Sequence, residues 1–388
     1  MSQNKIFQCC YTNAEKEIGG KMTSGWQPVA VSPDIPSDAY NACVKIQNSN
    51  IPSRSDLVDE TGKALKLYEF HGDGNYIYVV CTQYGLSDRV GRPNMFSHGV
   101  VFPASGASVA IQNPNFFLAL SEKSFKLSEE QVGEGSLAWD EKEKWFSLKT
   151  ALEEANLDRQ RYGILVRCIF AQMSGGDKTT PLFVKFDGMH SQFKAVLFCI
   201  YCGLPLFMRR RIKISSSALV NSGKNNLVFA KHAPDGSNYV DLTTGENNIL
   251  TPRLERKMTR YGFVDHAVAN LPFSDFDNYF VNLENIVVSL GDASGSNEQL
   301  MKIAHQFLTQ RDDAGFSDEE VESNLCDALR ISSSKNRILE MVVLRMVREV
   351  NRRKIKLTDE AESLLDKWLE FVELPDLKRA IEVHKSMK

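Results

Sequence analysis

Two cysteines and one histidine are the residues of this sequence best suited to covalent chemistry. Cys9 and Cys10 lie in a strand-like run near the N-terminus, and His98 lies just before another apolar run. A thiol beside an imidazole can act as a nucleophile, and Asp34 or Asp88 could orient the imidazole. Adjacent residues of a strand point to opposite faces, so at most one of the cysteines can face His98. Since buried free cysteines usually pack as small apolar groups, a structural role is favoured for both.

An arginine and an asparagine precede His98 in a segment that contains turn-forming residues. Gly91 and Pro93 interrupt the preceding pattern, because glycine allows a positive φ and proline fixes φ and removes a donor. The segment is therefore predicted to be a loop that places Arg92, Asn94 and His98 where the chain enters the core. Such side chains could form a binding surface. The alternative is that the ring nitrogens of His98 satisfy backbone groups of the loop.

A Cys-x-x-Cys pair, Cys199 and Cys202, has the spacing of redox and zinc sites. It lies in an apolar helical pattern, and no second such pair completes a set of four zinc ligands. Core packing is therefore predicted, and neither a metal nor a cofactor is expected. The P-loop pattern G-x-x-x-x-G-K-[S/T] does not occur, so the chain is not predicted to be a GTPase itself.

Basic residues cluster in two places. Arg209–Arg211 lead into a predicted strand, and Arg345, Arg348 and Arg352 lie at spacings that partly align them on one helix face. Either cluster could bind phosphate or an acidic partner surface. The alternative is a solvated helix face that interacts favourably with the helix dipole. Because no aromatic residues are interleaved with these charges and the net charge is −3, nucleic-acid binding is not favoured.

The composition of the 388 residues is that of an ordinary globular protein, with 43% hydrophobic and 24% charged residues. Eight scattered cysteines with apolar neighbours indicate reduced, buried thiols rather than a disulfide framework. The N-terminus lacks the long apolar region of a signal peptide, and no apolar run reaches the ~20 residues that span a bilayer. A cytoplasmic protein without membrane association is therefore predicted.

The first part of the chain, up to about Pro103, is predicted to be mostly β. A helix with Ser37 as its N-cap is expected over Ser37–Gln47. Around the Gly-rich turn His71–Asn75, two β-rich runs predict a hairpin. The predicted strands are Ile6–Thr12, Trp26–Val31, Ala64–Phe70 and Tyr76–Thr82.

The pattern then turns mixed and finally helical, so an α+β fold class is predicted. A β-rich N-terminal domain is expected over residues 1–127, a mixed α/β middle domain over 128–292 and an all-helical C-terminal region over 297–388. The segment Gly291–Ser296 is the clearest predicted linker. Ser317, followed three residues later by Glu320, has the pattern of a helix capping box.

Several short motifs, in order, resemble the bacterial GTPase-associated protein one family, type two. They are Q-C-C-Y-T, G-W-Q-P-V-A-V-S-P and V-G-R-P-N-M-F-S-H-G-V-V-F, with a weaker match in the middle region, at Gln8–Thr12, Gly25–Pro33, Val90–Phe102 and Gly203–Ser217. In the third motif Asn94 follows the proline directly, where the family's loop has one more residue.

The resemblance implies an adaptor or scaffold that acts with a separate GTPase and other subunits in a bacterial conflict or antiviral defence system. A non-catalytic role is favoured, although a hydrolase or transferase that uses Cys9 or Cys10 with His98 remains the alternative. The residues expected to form binding surfaces are Tyr11, Gln27, Arg92, Asn94 and His98, and, on the C-terminal helices, Arg345, Arg348 and Arg352.

Overall fold

The chain forms two compact units in the computed structural model. One comprises residues 1–255 with 271–277, and the other comprises 256–270 with 278–388. The structure describes residues 6–18, 21–52, 57, 63–87, 91–104, 113–115, 125–126, 128, 146–174, 180–186, 190–217, 225–251, 266, 276–290, 297–309, 317–331 and 336–387.

The described strands of the first unit form a nine-stranded sheet in the order β2-β1-β5-β4-β3-β7-β8-β6-β9. The strands β1 to β5 pair antiparallel, and β3 also pairs antiparallel with β7. The remaining pairs, β7 with β8 and β6 with both β8 and β9, are parallel. The strands are β1 Phe7–Ile18, β2 Lys21–Val31, β3 Lys66–Gly72, β4 Tyr76–Ser87, β5 Pro93–Pro103, β6 Leu182–Lys185, β7 Lys213–Ser215, β8 Leu227–Ala230 and β9 Asn238–Asp241.

Helix α1 covers one face of the antiparallel strands. Its buried residues include Cys43 and Gln47, which lie over Gly99 of β5. A Cβ atom at Gly99 would lie 2.4 Å from the Cys43 sulfur, so glycine at this position permits the close approach of helix and sheet. The described helices of this unit are α1 Ser37–Asn48, α2 Leu148–Glu154, α3 Arg159–Ser174, α4 His190–Cys202 and the short α5 Leu206–Arg209.

The second unit is helical in its described residues and has its own apolar core, which includes Leu325, Val343, Leu365 and Ile381. Ser317 and Glu320 form the predicted capping box at the start of α8, each side chain bonded to the other residue's backbone N–H. The helices are α6 Phe276–Ser289, α7 Asn297–Thr309, α8 Asp318–Arg330, α9 Arg337–Arg353, α10 Asp359–Leu369 and α11 Pro375–Ser386; the first two residues of α6 group with the first unit.

The predicted α+β class is confirmed, with a β-rich N-terminal part, a mixed middle and helices at the C-terminal end. The three-domain division remains a prediction, although strands from its first two parts hydrogen-bond in one sheet. The predicted linker Gly291–Ser296 lies outside the described residues.

Three local predictions were wrong. Ser37 is the first residue of α1 rather than its N-cap, and Pro36 occupies the cap position without a side-chain hydrogen bond. The predicted loop Arg92–His98 is strand from Pro93 onward, because pairing with β1 and β4 overrides the turn-forming residues. His71 belongs to β3, not to the turn that follows it.

Candidate functional site

Cys10 and His98 lie opposite each other on β1 and β5, and both are fully buried. The backbone N–H of Lys126 donates to Nδ1 of His98 over 2.8 Å, and Nε2 lies 2.9 Å from Oε1 of Gln8. Because Nδ1 accepts, the proton of the neutral ring is on Nε2 and is donated to Gln8. The ring of Phe125 meets the imidazole edge to face. His98 therefore anchors the segment at Phe125 and Lys126 to the sheet.

This environment opposes covalent catalysis. Burial, with a smaller effect of the Lys126 charge, lowers the pKa of His98 to about 3. Burial, assisted by Cys9, raises the pKa of the Cys10 thiol. A nucleophilic cysteine needs a lowered pKa and access to its substrate. The thiol and the imidazole lie on the same sheet face of neighbouring strands, but both ring nitrogens are bonded to other groups, and both side chains are held neutral and away from solvent.

Cys9 lies on the opposite face of β1, toward α1. There its sulfur hydrogen-bonds with Cys43, and this bond, together with burial, raises the pKa of the Cys43 thiol. Of the two aspartates proposed to orient the histidine, Asp88 lies outside the described residues. Asp34 precedes α1 and is not among the hydrogen-bond partners found at the ring nitrogens of His98.

The pairing of β1 with β5 ends at Thr12, and the side chains of Asn94 and Gln27 then bond the next backbone groups of β1. The Asn94 Oδ1 atom accepts from the backbone nitrogen of Asn13 over 3.3 Å. The Thr12 hydroxyl, also 3.3 Å from Oδ1, donates its proton to the nearer carbonyl of Met95, at 2.6 Å. The Asn94 amide nitrogen donates in turn to the carbonyl of Asn13, over 3.4 Å. Gln27 donates to the next carbonyl, that of Ala14, over 2.7 Å. These two side chains take over from β5 where its pairing with β1 ends.

Tyr11 does not join this group, because it lies on the other sheet face. Its hydroxyl donates to Oδ1 of Asn48 over 2.8 Å, and its ring stacks on Trp26 with centroids 6.4 Å apart. Arg92 is exposed and lies one residue before β5. The structure thus brings Gln27 and Asn94 together, places His98 deeper on the same face, and separates Tyr11 from all three.

Neither outer strand of the sheet offers a regular edge in its described residues. In β2 the register with β1 shifts between Cys10 and Tyr11, which leaves Val29 as an extra residue beside Pro28. At the other edge, the backbone of Asp241 in β9 donates to the carbonyl of Glu246 over 2.8 Å. A bulge, a proline and a covering segment all discourage pairing with a foreign strand.

The basic cluster that leads into β7 is largely structural. Arg209 is fully buried and donates to the carbonyls of Leu204 and Cys202. Arg210 donates to the carbonyl of Ala104 over 3.1 Å. Cys199 and Cys202 of α4 are buried as predicted, and burial raises the pKa of the Cys199 thiol.

The basic face of α9 is partly neutralised within the chain. Glu349 pairs with both Arg352 and Arg353, and the latter also lies 3.5 Å from Asp318. The hydrogen bond that Arg352 donates to Glu349 is the main cause that lowers the pKa of Glu349 to about 2. Arg348 lies 3.6 Å from Asp376, with both side chains well exposed.

Glu69 and His71 of β3 form a buried polar cluster with Asn50 and Thr82 that sequence patterns did not single out. The signal was present, since two polar residues two apart in an apolar strand share one face. It was missed because His71 was assigned to a turn. Among described residues, no group of three or more His, Cys, Asp and Glu side chains could hold a metal ion.

An open cleft of about 560 Å³ lies at the junction of α2 and α3. Its lining mixes apolar side chains with charges of both signs, and Arg161 is already paired with Asp158 there. Within the part of the chain that the structure describes, no helix combines the length and apolar character needed to cross a membrane.

Fold and site together define an α+β protein whose β-rich N-terminal part buries polar side chains in structural hydrogen bonds. Residues 5–134, about a third of the chain, match the family model described as GTPase-associated protein 1, N-terminal domain type 2. The match confirms the resemblance seen in the short motifs. Comparisons with curated proteins and with solved structures found no match.

Proposed function

We propose that this chain is a non-catalytic adaptor or scaffold that acts with a separate GTPase. The observation that carries the proposal is the match of residues 5–134 to a GTPase-associated domain. That description indicates association with a GTPase. The adaptor role, the further subunits, the cytoplasmic location and the bacterial conflict or antiviral setting are our extension of it.

The chemistry of the N-terminal part supports a binding role over a catalytic one. Cys10 and His98, the pair that could act as nucleophile and base, are buried with a raised and a lowered pKa respectively. An imidazole of such low basicity cannot take the proton from a thiol whose pKa is raised, so the thiol is not activated near neutral pH. Buried, neutral side chains such as these stabilise the fold. The partner surface must therefore use residues nearer the solvent.

The partner surface that we propose lies where the pairing of β1 with β5 ends. Arg92 is exposed there, and the half-buried Asn94 and Gln27 hold the local backbone in place. A guanidinium offers five donors in a planar fork, which suits carboxylates on a partner. Tyr11 and His98 would support this surface from the two sheet faces. A second contact would use Arg345, Arg348 and Arg352 of α9.

The test is an affinity pull-down of the tagged full chain from its native host, with and without a non-hydrolysable GTP analogue, read by mass spectrometry. A stoichiometric GTPase in the eluate, with recovery that depends on nucleotide, is the expected result. Recovery of the chain alone, in repeated experiments with either end tagged, would contradict the adaptor role.

A further inference from the structure

His384 is a buried histidine of the second unit that the proposed function does not use. It lies in the last turn of α11, and its side chain is 6% exposed. The helix α11 packs against α9 and α10, and the imidazole ring has a polar partner on each of these two helices. The ring therefore connects three helices at one buried point.

Both ring nitrogens of His384 face hydrogen-bond acceptors. Nδ1 lies 3.0 Å from Oδ1 of Asn351 in α9. Nε2 lies 2.8 Å from Oε1 of Glu362 in α10, whose side chain is 14% exposed. Because a carboxylate oxygen accepts, Nε2 must carry a proton to form its bond.

The amide of Asn351 is oriented by α11 itself. Its Nδ2 atom donates to the carbonyl of Ala380 over 2.9 Å. Exchanging the amide nitrogen and oxygen would bring two acceptors together at this carbonyl, so Oδ1 is the atom that faces His384. Nδ1 of the ring must then carry a proton as well. A neutral imidazole has one N–H and satisfies one of the two contacts, whereas the imidazolium donates to both.

We propose that Asn351, Glu362 and His384 form a proton-dependent latch that docks α11 onto α9 and α10 while the imidazole is charged. The charged ring gains a charge-assisted hydrogen bond to Glu362. Loss of the Nδ1 proton would place the lone pair of that nitrogen against Oδ1 of Asn351, where both atoms lack a donor. The stabilisation of α11 is therefore present while the ring is charged, and it is lost as pH rises through the titration of His384.

Other charged side chains of α9 and α10 also contact α11 or the residues directly before it. Arg348 lies 3.6 Å from Asp376, and Asp366 pairs with Lys385. Glu340 accepts from the backbone before α11. Carboxylate, lysine and arginine side chains ordinarily keep their charges between about pH 5 and pH 8, where histidine changes its own. A change in the docking of α11 within this range therefore indicates a histidine.

The experiment is hydrogen exchange of the full chain at about pH 6 and about pH 8.5, read by mass spectrometry and corrected for the intrinsic exchange rates. In the parent chain, the protection of α11 relative to α8 should fall roughly tenfold or more at the higher pH, since the bonds concerned involve a charged group. Glu362→Gln is the matched variant. Its side-chain amide can donate to Nε2 of a neutral ring while the Nδ1 proton is donated to Asn351, so its α11 should be equally protected at both pH values. Equal protection of α11 at both pH values in the parent, or the same fall in the variant, would overturn the latch.

A second measurement reads the ring itself. The chain has seven histidines, and ¹⁵N NMR of the full chain labelled at histidine distinguishes neutral from charged rings, with His384→Gln identifying the signal of His384. We expect both nitrogens of His384 to carry protons at a pH where the exposed His232 is already neutral. A His384 ring that is neutral at about pH 6 contradicts the proposal. His384→Gln should also remove the pH dependence of α11, which separates His384 from His266 and His305 in the same unit. The result is independent of whether a GTPase binds.

Discussion

At the scale of single residues, His98 and Glu69 show two outcomes of burying a titratable group. Both ring nitrogens of His98 have partners, Gln8 and the Lys126 backbone, so the neutral ring is satisfied. Glu69 has a partner on one oxygen only and faces His71 with the other. The first arrangement is complete as a structural anchor.

The stability of the protein should fall in mildly acidic solution because of His98. Its pKa is about 3 in the folded chain against an ordinary value of 6.5, so the unfolded chain takes up the proton first. The stabilisation is complete above pH ~6.5 and is lost as pH falls toward ~3, with about 2 kcal/mol lost by pH 5. Urea unfolding at pH 8 and pH 5 measures it, with His98→Gln as the control. An equal loss in the variant would show that other groups are responsible.

The thiols should be unreactive in the folded protein. All eight cysteines are buried, and burial raises the pKa of Cys10 and Cys199, so thiolate is scarce near neutral pH. A chromogenic disulfide reagent should label no cysteine rapidly in the native chain and all eight after denaturation. One fast-reacting thiol at Cys9 or Cys10 would revive the hydrolase or transferase alternative.

At the scale of elements, side chains complete the hydrogen bonding where regular structure ends. Asn94 does so for β1, and Glu340 does so for α11. The carboxylate of Glu340 accepts bonds from the backbone N–H groups of Glu373 and Leu374, over 2.7 and 3.0 Å. These two residues directly precede Pro375, the first residue of α11, so Glu340 of α9 holds the chain at the point where α11 begins.

Replacing Asn94 should weaken the junction of β1 with β5. Asn94→Ala removes the acceptor for the backbone N–H groups of Asn13 and Met95 and is expected to cost about 1–2 kcal/mol of unfolding free energy. Asn94→Asp keeps that acceptor but loses the donor to the carbonyl of Asn13, and it should cost less than the alanine variant. Chemical denaturation measures both. If Asn94→Asp lowers the unfolding free energy as much as Asn94→Ala does, the side-chain acceptor oxygen is not the source of the stabilisation.

Replacing Glu340 should loosen α11. Glu340→Ala leaves two backbone donors unpaired next to the core and should lower the unfolding free energy by about 2–3 kcal/mol, since hydrogen bonds to charged groups are the stronger ones. Hydrogen exchange should rise in α11 before it rises in α8. Glu382→Ala, on the exposed side of α11, is the matched control. Uniform exchange across both helices would contradict a local role.

At the scale of the whole molecule, the chain has two compact units with separate apolar cores. The family match covers only part of the first unit. The second unit carries the α9 basic face, whose charges are partly satisfied within the chain by Glu349 and Asp376. A partner that contacts α9 must therefore compete with these ion pairs.

The family match, which includes Arg92 but not α9, predicts where binding of a GTPase is most sensitive. Arg92→Ala should weaken binding roughly tenfold or more, as truncation of an interface arginine often does, while Arg348→Ala should have a smaller effect. Both side chains are exposed, so the melting temperature should change little in either variant. Surface plasmon resonance with the recovered GTPase measures the affinities. A larger loss from Arg348→Ala would move the main contact to α9.

Much of the secondary structure could be predicted because its causes are local. The β3–β4 hairpin follows from two β-rich runs around a Gly-rich turn. Helix α11 lies in the region predicted to be all-helical, and Pro375 occupies its first turn, a position that suits proline. The sequence patterns did not predict α6. The segment before His98 was misassigned because its strand pairing comes from residues distant in the chain.

The sequence by itself determined the α+β class, the family resemblance and the apolar surroundings of the cysteines, since composition, short motifs and periodicity carry that information. Only the tertiary structure decided what the polar residues do. Cys10 meets His98, Asn50 meets Glu69, and Tyr11 lies apart from Gln27 and Asn94, all through contacts between distant parts of the chain. Burial and pairing then set the protonation of His98. These properties belong to the folded surroundings and cannot be read from residue spacing.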